Sequence, residues 1–141
     1  MKQRIYIDTS VIGGCEDPEF FPWSIALFNE FRAGLWLAVI SDLTLQELEQ
    51  APPKIKKILP AIPDKNKEYV FLKEEAEILA QSYIQTGVVK IKHIIDAQHI
   101  AIATVERVDV VVSWNFKQFV NIERIHAFNS VNLKAGYPLL E

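Results

Sequence analysis

Apolar positions in this chain follow two rhythms. Ile5, Tyr6 and Ile7 form a short unbroken run, and so do LWLAVI, Leu35 to Ile40, and DVVVS, Asp109 to Ser113. Runs this short and continuous suit strands buried on both faces. Elsewhere the spacing changes to three and four. Leu27, Phe28 and Phe31 predict a helix from Trp23 to Phe31, with Gly34 as its stop. TLQELEQA predicts another, ended by Pro52 and Pro53, and KIKKIL a short one before Pro60. Leu72, Ala76, Leu79, Ala80 and Tyr83 make the clearest amphipathic stripe, closed by Gly87. HIIDAQHIAIATVE reads as a helix whose small residues allow close packing on a sheet. NFKQFV reads as a helical turn, and Ile122 to Val131 as added edge strands.

Strands alternating with helices predict an α/β domain with a largely parallel sheet. Right-handed crossovers gather the strands' carboxyl ends at one edge, where ligands of open α/β sheets bind. Asp8 stands at such an end. So do Ser41-Asp42 and Ser113-Trp114-Asn115.

Composition narrows the picture. A length of 141 residues, 50% of them hydrophobic, fits one compact domain, residues 1–141, and not a disordered chain. A formal charge of -3 argues against a basic nucleic-acid coat, yet leaves room for a nucleic acid held through a metal or a small cationic rim. Cys15 is alone, so neither an internal disulfide nor a thiolate zinc cluster is expected. No apolar segment approaches the roughly 20 residues needed to cross a bilayer. The start MKQRIYID lacks a signal peptide's apolar core, so a cytoplasmic location is the expectation.

Three carboxylates fall at similar junctions: Asp8 after the first strand, Glu47 on the helix after the second, and Asp96 early on a later helix. Clustered acids repel and cost desolvation energy, which a divalent cation relieves. Mg²⁺ or Mn²⁺ takes oxygen ligands and keeps several waters, so a few carboxylates suffice, and phosphodiester hydrolysis is the chemistry such a site suits. Each acid also has a plainer reading. Asp8 serves equally well as a helix N-cap. Thr44-Leu45-Gln46-Glu47 matches a capping box, and taken alone this is the stronger account of Glu47. Asp96 serves equally as a first-turn acid facing the helix dipole.

The stretches YIDTSVI, SDLTLQELEQ, IIDAQHIAIATV and DVVVSWNFKQFV, in that order, resemble a PIN domain of the VapC type. The resemblance runs from about Arg4 to Phe128. It implies a three-layer α/β/α sandwich with a central parallel sheet, and a Mg²⁺ or Mn²⁺ site that hydrolyses RNA. The family's acids fall on Asp8, Glu47 and Asp96, and its hydroxyl beside the first acid falls on Thr9 or Ser10. Ser113 opens the fourth block, and Asn115 stands where the family usually carries Asp. Asn keeps a carbonyl donor but loses a charge. The resemblance further implies a homodimer and a cognate antitoxin. The resulting expectation is a metal-dependent endoribonuclease, the toxin of a type II toxin–antitoxin pair. The alternative, supported by Asn115, is a PIN-like RNA- or protein-binding module without turnover; a third is a metal phosphohydrolase acting on small substrates.

Weaker signals surround this set. His93 and His99 invite a zinc reading, but six residues apart they diverge by roughly 120° on a helix. Lys54, Lys56, Lys57, Lys65 and Lys67, with Lys90, Lys92 and Lys117 near the later acids, either hold RNA phosphates or form a solvated face. Trp114 either stacks on a base or is a buried strand-end residue. Phe21, Phe28 and Phe31 read mostly as core, with an overhanging part suited to a dimer or antitoxin surface.

Overall fold

The computed structural model describes residues 2–115 and 122–141. Among these residues four parallel strands form the sheet: β1 (Arg4–Ile7), β2 (Leu37–Ser41), β3 (Lys67–Val70) and β4 (Val110–Val112). Their spatial order is β3-β2-β1-β4. Arg4 pairs with Leu37, Ile5 with Val110, and Ala38 with Lys67. Among the described residues, seven helices connect and cover the strands: α1 (Thr9–Gly13), α2 (Phe21–Ala33), α3 (Asp42–Leu48), α4 (Pro53–Lys56), α5 (Glu74–Gln85), α6 (Ile94–Val105) and α7 (Ile122–Lys134).

The unbroken apolar runs are explained by two cores. Successive strand side chains point to opposite faces, and both faces here are covered. Ile5, Ile7, Ala38 and Ile40 pack with Val11, Phe28 and Phe31 of α1 and α2. Tyr6 and Val39 pack on the other side with Leu79, Tyr83, Ile100 and Ala101 of α5 and α6. The result is the expected α/β/α sandwich around a parallel sheet. Phe28 and Phe31 are buried almost completely, each contributing roughly 1.5–3 kcal/mol of hydrophobic stabilisation. Ala97, Ala101 and Ala103 on α6 are fully enclosed, which bears out the close packing expected of that small-residue helix. Gly34 ends α2 with φ at 82°, a left-handed cap that favours glycine.

Three expectations are corrected. The region from Ile122 to Val131 is not a set of edge strands but lies within α7. Phe128 and Val131, buried against the α5–α6 side, stand three apart on one helical face. Buried Asn132 strengthens that docking: its Oδ1 accepts from the Tyr83 hydroxyl, and its Nδ2 donates to Thr104 Oγ1 at 3.2 Å. Secondly, the apolar pattern marked three strands, whereas Lys67-Glu68-Tyr69-Val70 forms a fourth. As an edge strand with Val70 alone fully buried, it carries no apolar run. Thirdly, the helix bearing Glu47 begins at Asp42, two residues before Thr44. The predicted turn NFKQFV lies outside the described residues beyond Asn115. No helix among the described residues is long and apolar enough to cross a membrane.

Candidate functional site

Buried polar side chains collect where the strands end. Asp8, Ser41, Thr44, His99 and Ser113 are each less than 6% exposed, and all belong to the C-terminal edge of the sheet or the helices packed beside it. Asp8 directly follows β1 and caps α1, its side chain accepting from Val11 N at 3.3 Å. The cap reading of Asp8 is therefore realised, but that bond is the longest of three. Ser10 Oγ donates to Asp8 Oδ1 at 2.6 Å, and Ser113 Oγ donates to Oδ2 at 2.6 Å. Both carboxylate oxygens are thus held by hydroxyls, from the helix after β1 and from the end of β4. Two bonds this short, one to each oxygen, fix the plane of the carboxylate.

The capping-box reading of Glu47 fails. Ser41 is the N-cap of α3, and its hydroxyl accepts from Thr44 N at 3.3 Å. Thr44 is already inside the helix, and Glu47 is turned elsewhere. Glu47 Oε1 lies 2.7 Å from His99 Nε2 and accepts from Thr9 Oγ1 at 3.0 Å. An ionised carboxylate only accepts, so Nε2 carries the proton of the first bond. The His99 bond, aided by charge attraction and by Thr9, holds the Glu47 carboxyl below its usual range despite partial burial. His99 Nδ1 lies 2.6 Å from the Tyr6 hydroxyl, which donates to Ser41 Oγ at 2.8 Å. A buried chain of polar groups therefore runs from the sheet to Glu47. Burial raises the Tyr6 phenol well above its ordinary pKa, so it stays protonated.

Asp96, in the first turn of α6, has the opposite bias. Burial is the main cause of its raised pKa, and the charges of Asp8 and Glu47 push the same way, against His99 and His93. The three predicted acids therefore lie in one electrostatic field. His93 Nδ1 stands 3.7 Å from Asp96 Oδ2, while His99 Nε2 bonds Glu47; the described residues offer the two histidines no common ligand group for zinc. Asn115 donates its backbone N–H to Ser113 Oγ at 2.9 Å, which places it one residue-contact away from Asp8.

The donor set suits a hard divalent cation chemically, being oxygen-rich and negatively charged. Its arrangement is less complete. Among the described residues, no three His, Cys, Asp or Glu side chains stand together as a ready ligand group. The acids share a field without sharing a coordination sphere, so a cation would need Glu47 or Asp96 to swing towards Asp8.

Tyr6 and the bond by which His99, considered above only as a zinc ligand, holds Glu47 are the contributions that the sequence did not announce. The available signals were the alternation that puts Tyr6 and Asp8 on the same side of β1 and the i, i+3 spacing of Asp96 and His99. Of the predicted basic patch, Lys67 is turned inward, its ammonium donating to the Leu59 carbonyl at 3.0 Å, so it does not face RNA. Lys54, Lys56, Lys57, Lys65, Lys90 and Lys92 are exposed, and Lys117 lies outside the described residues.

Comparison with known proteins gives no match to a family model and none to a curated protein by sequence. Solved structures do match. VapC20 of Mycobacterium tuberculosis, a sarcin–ricin loop cleaving toxin, superposes with a TM-score of 0.61 at 12% identity, over 95% of this chain and 96% of that one. VapBC2 of Rickettsia felis, bound to a DNA fragment from its promoter, gives 0.56 at 14% identity, over 82% and 90%. The chain has the PIN-like fold of these VapC toxins.

Proposed function

We propose that this protein is a divalent-metal-dependent endoribonuclease that hydrolyses RNA phosphodiester bonds, and the toxin of a type II toxin–antitoxin pair. The observation that carries this reading is the setting of Asp8. It is buried at the end of β1, clamped by hydroxyls from two elements, and close enough to Asp96 to raise that residue's pKa. Asp8, Glu47 and Asp96 are the residues that would hold Mg²⁺ or Mn²⁺, with Asn115 contributing a carbonyl oxygen. Such an ion lowers the pKa of a bound water and polarises a phosphoryl oxygen. The chain's own groups do the positioning. Ser10 and Ser113 set the plane of Asp8, while Thr9 and the Tyr6–His99 chain aim Glu47. The shared fold with a sarcin–ricin loop cleaving toxin supports RNA as the substrate class. The likeness to a toxin–antitoxin complex supports a cognate antitoxin as partner, and a homodimer is the assembly in which we expect both.

A second reading has its own support. Asn115 replaces an acid, and the described carboxylates are not gathered into a ligand group; both favour a PIN-like module that binds RNA or protein without turnover. Incubating single-stranded RNA with the wild-type protein and Asn115→Asp, in Mn²⁺, Mg²⁺ or chelator, separates the two. Metal-dependent cleavage by wild type, changed less than about tenfold by the substitution, supports the nuclease. Cleavage by Asn115→Asp alone supports the impaired module. Cleavage by neither removes the nuclease reading.

A further inference from the structure

Beside the acidic site lies an aromatic cleft that the proposed chemistry does not use. Glu19, Phe20, Trp23 and Trp114 line it, around an open volume of about 310 Å³, within the range of about 300–1,000 Å³ seen for small-molecule sites. Trp114 is fixed by three contacts. Its Nε1 donates to Ser24 Oγ at 2.9 Å. Its ring stacks on Phe20, with centroids 5.2 Å apart and planes 4° from parallel. Gly14 leaves it room, since a Cβ there would stand 2.7 Å from the indole nitrogen. The Trp114 backbone is also tied to the acids: its N–H donates to Ser10 Oγ at 2.9 Å, and that same hydroxyl donates to Asp8 Oδ1. The cleft and Asp8 therefore share one rigid wall.

Trp23 differs from Trp114 in being 61% exposed. It offers a large aromatic surface that the core does not need. Glu19 adds a carboxylate that accepts hydrogen bonds and donates none when ionised. Among the described lining residues there is no Lys or Arg, and these residues suit a neutral ring with N–H donors better than a phosphate. An unpaired nucleobase is such a ring, since it stacks on aromatic side chains and is read along its Watson–Crick edge. Guanine presents a ring N–H and an exocyclic amino group side by side, the pair that one carboxylate can accept together.

Building on the ribonuclease reading, we propose that this cleft is a nucleobase subsite for single-stranded RNA, which takes one unpaired base, guanine in preference, beside the phosphodiester presented to Asp8. Stacking on Trp23 supplies the affinity, and Glu19 supplies the choice of base.

The test uses the full chain in chelator, so that binding is measured without cleavage. The probes are a uridine hexaribonucleotide and the same hexamer carrying one G, A or C, followed by tryptophan fluorescence. The G-containing probe should bind about tenfold more tightly than the others. Trp23→Ala should lose about tenfold in affinity for it. Glu19→Gln should bind all four probes alike, at the affinity the wild type has for those lacking G, and so lose the preference for guanine. Both substitutions are on exposed side chains, and circular dichroism checks that each variant is folded. Parallel cleavage in Mn²⁺ separates this proposal from the reading it rests on. The predicted binding pattern without cleavage upholds the subsite and removes the nuclease alone. Cleavage with affinity and base preference unchanged in both variants overturns the subsite alone, and leaves the aromatic wall to a protein partner. Absence of binding by the wild-type protein overturns the subsite as well.

Discussion

The two ends of the sheet each gather three acidic residues, and the protein surrounds the two trios with different groups. At the N-terminal end, the Arg4 guanidinium donates to Glu68 at 3.0 and 2.7 Å, and its backbone N–H donates to Asp109 Oδ2 at 2.7 Å. Arg4 Nη1 also reaches the Glu106 carbonyl at 2.6 Å, while the Glu106 carboxylate pairs with Lys73 at 3.1 Å. These acids keep Arg4 strongly protonated, led by the Glu68 bond. At the C-terminal end, Asp8, Glu47 and Asp96 pair with neither Lys nor Arg among the described residues. Hydroxyls and imidazoles surround them instead. Such groups orient a carboxylate without supplying a permanent positive charge. One end is paired with its own cations, which is how a fold closes an edge; the other is not, which is the setting the proposed cation site requires.

Substitutions at the two ends should therefore have opposite signatures. The largest effect is expected from Asp8→Asn, which removes a charge from the uncompensated end. RNA cleavage should fall by at least about a hundredfold, while the urea midpoint moves by less than about 1.5 kcal/mol in stability, because the amide still bonds one serine and acid repulsion is relieved. Wild-type cleavage by Asp8→Asn would remove Asp8 from the site. Arg4→Met should do the reverse. It leaves Glu68 and the Glu106 carbonyl without the guanidinium, while Asp109 keeps the backbone N–H of residue 4, and costs about 1–2 kcal/mol in equilibrium unfolding, with metal-dependent cleavage by the folded protein unchanged.

A smaller effect sharpens the contrast through pH. The pKa of Asp96 is raised in the folded protein, chiefly by burial. Between its unfolded and folded values the native state binds more protons, so this residue's contribution falls as pH rises through that window. Asp96→Asn should therefore be more stable than wild type at neutral pH in the absence of metal. The gain should be about 0.5 kcal/mol, kept small by screening because the side chain retains 27% exposure. It should vanish below about pH 3.5, where the acid is protonated in both states. Glu47 has the opposite sign: its lowered pKa adds stability above the ordinary carboxylate range, lost as pH falls through the folded value. Thermal unfolding of wild type and Asp96→Asn across this range checks the signs.

How much of this was legible beforehand depended on whether a residue's job is local. The runs around Tyr6 and Val39 announced strands because burial on both faces leaves no polar position, and the run around Val111 did so because its half-buried valines pack into both cores. The edge strand at Lys67 did not, because half of its surface meets solvent. The stretch from Ile122 to Val131 misled because Asn129 and Ser130 interrupt its apolar residues, and the helix is fixed instead by packing on α5 and α6 and by the Tyr83–Asn132–Thr104 contacts just beyond the stretch. At the site, position along the chain was enough to mark Asp8 and Asp96. The role of Glu47 was not readable locally, since Thr44-x-x-Glu47 mimics a cap. It took His99, 52 residues away, to show where that side chain turns. The serine clamp on Asp8 likewise joins residues 105 apart.

The most direct test of the account is a calorimetric Mn²⁺ titration of wild type, Asp96→Asn and Asp109→Asn. The contrast between the two ends predicts that wild type binds Mn²⁺, that Asp96→Asn weakens this binding at least about tenfold, and that Asp109→Asn leaves it unchanged. Failure of the wild-type protein to bind, or equal binding by wild type and Asp96→Asn, would contradict the claim that the C-terminal acids await a cation.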